Sequence, residues 1–227
     1  MGGLAGVDGC RGGWLMVRLG PGGDAGTATW SLAPRWAELG AETLDVVAVD
    51  MPIGLAEAGR RSCDGLARRL LPGAASTVFP PPMRPLLAAP DYPTANAWGK
   101  ARGAGLSKQA WNLMPRIREL DAAIAPADQT RVRETHPELV FRLLAGQDRL
   151  PPKKSPEGRA VRRALLAEAG FSRLAEWRAD VPRRLAAEDD FNDACALALA
   201  ARRMARGEAV RLPAEPERDA RGLDMAI

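Results

Sequence analysis

Apolar stretches separated by glycine-rich turns dominate the first fifty residues. Leu4 to Asp8 reads as a short buried strand that runs into glycine, and Trp14-Leu15-Met16-Val17-Arg18-Leu19 reads as a second. The short turn between them, Gly9-Cys10-Arg11-Gly12-Gly13, predicts an antiparallel hairpin. Pro21-Gly22-Gly23 is a further turn signal, and Thr27 to Leu32 reads as a third strand. Pro34 to Leu39 predicts a short helix. Leu44 to Val49 is a continuous, valine-rich run, the pattern of a central strand buried on both faces. It ends at Asp50-Met51-Pro52-Ile53-Gly54, where the proline pushes Met51 out of the helical region and predicts a turn.

From about 55 to 128 the texture changes. Arg60, Arg61, Arg68 and Arg69 cluster in a predicted helix, and Phe79-Pro80-Pro81-Pro82 breaks any regular element. Trp98 to Ile124 reads as helical, with a start or kink near Pro115. This stretch has no strand set for a core of its own and reads as an insertion. Thr130 to Glu134 reads as a fifth strand. Thr135-His136-Pro137-Glu138 then predicts a helix start, with Thr135 as cap and Glu138 completing a capping box. That helix ends near Gly146. Ser155-Pro156 opens another, Asp189 to Arg206 is the last long helix, and residues from about 213 read as a Pro-rich charged tail. The expectation is an α/β fold in one domain over residues 1–227: a mixed five-stranded central sheet flanked by helices, with a mostly helical insertion after strand 4. Three strands in a meander, then strand, insertion, strand and helices, is the element order of the ribonuclease H-like fold.

Composition narrows the classes. Of 227 residues, 46% are hydrophobic, which suffices for one large core. No apolar span approaches twenty residues, so no transmembrane helix is expected, and no basic-then-apolar N-terminal segment points to secretion. Cys10, Cys63 and Cys195 lie far apart without a CxxC pair, which predicts reduced thiols, a cytoplasmic setting and no thiolate zinc site. The net charge of +4, carried mostly by arginine, admits an anionic partner. Abundant Ala, Arg, Gly and Pro also fit a GC-rich coding bias.

Candidate chemistry lies in acids at element ends. Asp8 closes the first strand. As a turn former it needs no further role, but a carboxylate at the end of a buried strand is costly without a cation. Asp50 ends the most hydrophobic strand, where the alternatives are a cap or an arginine pair. Asp190 and Asp193 are three apart on one helix face, and Asp189 shares much of it. Acids in a first helical turn complement the helix dipole, yet Asp193 precedes the apolar run Ala194 to Ala201 on a helix that must be largely buried. Glu134 either joins these acids or pairs with Arg131 or Arg133. His136, the only histidine, is a general base, a phosphate contact or simply a helix-start residue. Carboxylates converging at one sheet edge suit Mg2+ or Mn2+, and two such ions about 3.5–4 Å apart serve phosphodiester hydrolysis.

Several segments together resemble an uncharacterised family described as predicted ribonuclease H-like nucleases, related to RuvC- and YqgF-type nucleases. They are Gly6-Val7-Asp8-Gly9 with Gly12-Gly13-Trp14, Val49-Asp50-Met51-Pro52-Ile53-Gly54-Leu55, Ser76-Thr77-Val78-Phe79-Pro80-Pro81-Pro82, Gly105-Leu106-Ser107-Lys108-Gln109-Ala110-Trp111-Asn112, Glu134-Thr135-His136-Pro137-Glu138 and Asp189-Asp190-Phe191-Asn192-Asp193-Ala194. The resemblance implies that Asp8, Asp50, Asp190 and Asp193 bind the two metal ions. Holliday-junction resolvases of the RuvC type, to which that family is similar, carry Glu where this chain has Asp50, and they lack the insertion. The reading that follows is a metal-dependent nuclease with catalytic Asp8, Asp50, Asp190, Asp193 and Glu134. Arg60, Arg61, Arg68, Arg69 and Lys108 would grip phosphates, and Trp98 or Trp111 would either stack on a base or pack in the core. The expected partner is DNA or RNA; a homodimer is admitted and a membrane is not. Two other readings stand beside it. One is a non-catalytic nucleic-acid-binding or scaffold protein on the same fold. The other is an actin-like phosphotransferase or ATPase, which usually has Thr or Ser where Cys10-Arg11-Gly12-Gly13 follows Asp8.

Overall fold

Side-chain alternation along the first strand decides where the rest of the chain packs. The computed structural model describes residues 2–227. Gly3–Cys10 (β1) pairs antiparallel with Gly13–Gly20 (β2), which pairs antiparallel with Asp24–Ala33 (β3). On the other side of β1, Leu44–Asp50 (β4) runs parallel to it, and Val132–Glu134 (β5) runs parallel to β4. The sheet order is β3-β2-β1-β4-β5, a mixed sheet in an α/β protein. Among the described residues there are seven α-helices: Ser62–Arg69 (α1), Tyr92–Ala101 (α2), Lys108–Ala123 (α3), Pro137–Ala145 (α4), Pro156–Glu168 (α5), Leu174–Asp180 (α6) and Glu188–Ala205 (α7). No helix among the described residues is long and apolar enough to cross a membrane, and Cys10, Cys63 and Cys195 are unpaired thiols.

One face of the sheet receives α7. Leu4 packs with Ala194 to Ala201 of that helix, whereas Ala5 and Val7 join the cluster on the opposite face. Every residue from Phe191 to Ala201 is buried, as expected of a helix laid on a sheet and covered by α4, α5 and α6. Five alanines between 194 and 201 keep its surface low, and Gly6 lets it come closer still. A methyl group on Gly6 would lie 2.2 Å from both Ala194 O and Ala198 N. Neither backbone atom can yield without moving α7. Gly6→Ala is therefore expected to cost about 3 kcal/mol, the upper end for overpacking, read as a lowered urea midpoint at unchanged slope.

The opposite face takes the insertion. Ile117, Leu120 and Ile124 pack with Val7, Val47 and Val49. Glu119 fastens α3 to the sheet, accepting from Trp14 Nε1 at 2.8 Å and Trp36 N at 2.6 Å.

Several expected boundaries differ. Pro34 to Leu39 forms only a 3-10 turn, Trp36–Glu38. The long helix expected over 98–124 is two helices, and the break falls at Gly103, whose φ is +96°, with Ser107 capping α3 through its hydroxyl. Pro115 lies inside α3 without ending it. The C-terminal segment is no loose tail: Glu217–Arg218 (β6) pairs with Asp224–Met225 (β7), and Leu223 is fully buried. Asp219 holds that hairpin on the body by accepting from Leu55 N at 3.0 Å and Leu223 N at 3.0 Å and by pairing with Arg84.

Candidate active site

Asp8 and Asp50 are brought side by side by strand register. They are direct partners at the ends of parallel β1 and β4, so both side chains leave the same face. Asp8 is two residues beyond Gly6, and Asp50 two beyond Ala48, which packs with α7. Both therefore point to the α7 side, where the first turns of that helix carry Asp189, Asp190 and Asp193. All five acids line one cleft of about 580 Å3, together with His136, Glu138 and Lys153.

The acids are held differently. Asp190 Oδ2 accepts the Ala187 N–H at 2.7 Å and so caps α7. Asp193 is 4% exposed; its Oδ2 takes the Lys153 ammonium, and its Oδ1 is buried with no hydrogen-bond partner. Asp189 is half-buried at the rim.

Like charges in a partly dry cleft disfavour ionisation. Burial foremost, then Asp193, Asp50 and Asp190, raises Asp8 well above the usual carboxylate range. Burial lifts Asp50 to about 6, with Lys153 opposing and Glu138 adding. Burial lifts Asp193 to about 7, against the pull of Lys153. Asp190 is raised by burial, partly offset by its bond from Ala187. For Lys153 burial works downward, but Asp193, Asp8 and Asp189 outweigh it and hold the ammonium charged. One lysine thus faces at least four carboxylates.

Other expected members lie elsewhere. Glu134 is a register partner of Val49, one residue before Asp50, and so faces the opposite side of the sheet. There its two oxygens bind the Arg61 guanidinium at 2.7 Å each, and Oε2 also takes the Ile53 N–H at 2.7 Å. Glu134 is a buried structural acid, and its partner is Arg61, not Arg131 or Arg133. Arg61 is correspondingly no phosphate grip: it is 3% exposed and shared between Glu134 and Asp64. Arg68 donates to Val78 O at 2.9 Å, while Arg60 and Arg69 are exposed. Lys108 is exposed with its ammonium 4.0 Å from the Tyr92 ring. None of these five basic residues lines the acidic cleft. Trp111 packs edge-on against Tyr92, and Trp98 is 37% exposed.

His136 caps α4, its Nδ1 accepting from Glu138 N at 3.3 Å, so the cap expected at Thr135 falls one residue later. The capping box does not form, because the Glu138 carboxylate is held by buried Arg162, with Nε to Oε1 at 3.0 Å. Arg162 also donates to Pro151 O at 3.1 Å and thereby steadies the loop that carries Lys153. Sequence reasoning misses Lys153 and Arg162. The only signal for Arg162 is a charge four residues before Leu166, on the apolar side of α5.

The donor set suits a hard divalent cation. It is all carboxylate oxygen, one of those oxygens is buried and orphaned, and mutual repulsion leaves the cluster short of positive charge. Among the described residues no three His, Cys, Asp or Glu side chains stand close enough to grasp one ion as placed, so binding requires the carboxylates to close in.

No curated protein and no solved structure matches the chain. A family model described as "Protein of unknown function (DUF429)" matches residues 6–218, a span that holds the second half of β1 with Asp8, the insertion, the acidic cleft and α7. The chain belongs to that family, DUF429.

Proposed function

We propose that this protein is a nuclease of ribonuclease H-like fold that hydrolyses phosphodiester bonds with Mg2+ or Mn2+. The observation that carries the reading is the position of Asp8. It is the register partner of Asp50 and faces the α7 acids, among them Asp193 with its unpartnered buried oxygen. Asp8, Asp50, Asp190 and Asp193 would hold the ions. When bound, such ions supply an activated water and stabilise the leaving oxygen. The protein's own part is to hold four carboxylates on a rigid base, with two at adjacent strand ends and two on a buried helix. Exposed Arg60, Arg69 and Lys108 stay in the reading as remote phosphate contacts that add affinity without touching the reacting bond.

The test is cleavage of a panel of single-stranded, duplex and branched DNA and RNA in Mn2+. At least one substrate is expected to be cut, with chelator abolishing the reaction. Turnover of none of them, or turnover indifferent to chelator, overturns the reading.

A further inference from the structure

We propose that Lys153 is a tethered counter-ion: its ammonium sits on Asp193 where a divalent cation would bind, and an arriving cation displaces it. The inference rests on the metal-binding part of the reading above and adds a competitor to it. At Asp193 a monovalent charge gives way to a divalent one.

Three observations support it. The Asp193 carboxylate is split, with Oδ2 on the Lys153 ammonium and Oδ1 buried without a partner, so the lysine satisfies half of a group built to bind on both sides. The ammonium acts on the cluster as a whole: Asp8, Asp50, Asp190 and Asp193 each feel its charge. Its backbone is also tied down, while its side chain reaches the cleft on an unbranched stem. Pro151 and Pro152 precede it, Arg162 holds Pro151 O at 3.1 Å, and Ser155 N donates to Pro152 O at 2.9 Å. The lysine side chain is 25% exposed, toward the cleft. A flexible four-carbon stem swings aside, and the freed carboxylates can then close on the cation.

Competition for the same oxygens is a negative coupling between ammonium and metal, and it is reciprocal. Lys153→Met is therefore expected to bind Mn2+ about tenfold more tightly than the wild type, within the usual 5–150-fold range for coupled sites. Lys154→Met, which removes the same formal charge from the next residue, should stay within about twofold. Lys153→Met/Asp193→Asn should lose the gain. Calorimetric titration of Mn2+ alone into the full chain reads all four proteins. A second measurement needs no variant. Acylation of wild-type Lys153 by an amine-reactive reagent, followed by mass spectrometry, should rise several-fold in Mn2+ while Lys154 is unchanged.

Equal or weaker Mn2+ binding by Lys153→Met overturns the inference, as does an equal gain in Lys154→Met. Should Lys153→Met fail to fold, unchanged or reduced acylation in Mn2+ overturns it instead. The nuclease reading falls separately. If Lys153→Met binds Mn2+ tightly and no substrate is cut, the counter-ion stands and the activity does not. If substrates are cut while Mn2+ affinity ignores Lys153, the reverse holds.

Discussion

Asp8→Asn is expected to remove Mn2+-dependent cleavage while raising the melting temperature of the metal-free protein. The two effects share one cause. Asp8 is buried and faces Asp193, Asp50 and Asp190, so its carboxylate is held well above its ordinary pKa. A folded-state pKa above the unfolded one means that folding favours the protonated form. The stability this contributes is complete below the ordinary carboxylate pKa of about 4 and is lost as pH rises through the folded value. The wild type loses it progressively as pH rises above that ordinary value, and the asparagine, which cannot ionise, does not. A tenfold difference in proton affinity between the folded and unfolded chain is worth about 1.4 kcal/mol. For a chain of this length a kcal/mol moves the midpoint by about 2–4 °C. The variant should thus melt several degrees higher at pH 8 in chelator, with the gap closing toward pH 4. Cleavage should fall at least ~100-fold, since even the groups that merely orient metal ligands cost 10–100-fold when removed. Differential scanning calorimetry against pH and a cleavage assay on the same preparations check both. A variant that melts lower and still cuts would make Asp8 an ordinary strand-end acid.

Much of this is legible in the sequence, and the misses have a pattern. The strands, the first hairpin and the buried α7 follow from hydrophobic runs and turn residues, which are local signals, and the meeting of Asp8, Asp50, Asp190 and Asp193 is implied by the order of elements and the family resemblance. Parity between strands is not local. Glu134 and Asp50 both close strands, but β5 pairs so that Glu134 sits beside Val49, and one step of register sends its side chain to the other face. Arg61 looks like one of four surface arginines because nothing nearby shows that its charge is consumed by an acid 73 residues away. Lys153 lies in a Pro-Pro-Lys-Lys loop with the look of a solvated linker, and only the packing of Arg162 on Glu138 brings it over the acids. The C-terminal hairpin is hidden for the same reason: its clamp, Asp219 on Leu55 N, spans 164 residues.

Glu134→Gln should do the opposite of Asp8→Asn, lowering stability by about 3 kcal/mol, the lower end for breaking a buried ion pair from one side. Arg61 would keep Asp64, but it would lose the paired 2.7 Å contacts to Glu134 in a site with almost no access to water. Arg61→Met should cost more. It strands Glu134 and Asp64 together as buried carboxylates and takes a donor from the Ile53 and Gly54 carbonyls, at 3.3 and 3.2 Å. Burial already raises Glu134 despite Arg61, so without the guanidinium it would take up a proton and not remain charged. The double variant Arg61→Met/Glu134→Gln should recover part of the loss, since it leaves fewer unpaired charges than Arg61→Met alone. Urea unfolding of the four proteins at pH 7 gives the coupling. Glu134 also holds the Ile53 N–H in the turn that follows Asp50, so the folded fraction of Glu134→Gln is expected to bind Mn2+ within about tenfold of wild type, the mild end for a group behind the ligands. Loss of Mn2+ binding without loss of stability would return Glu134 to the metal site. The sign of the stability change therefore separates two strand-end acids: Asp8 in the cleft weakens the metal-free fold, and Glu134 on the far face of the sheet supports it.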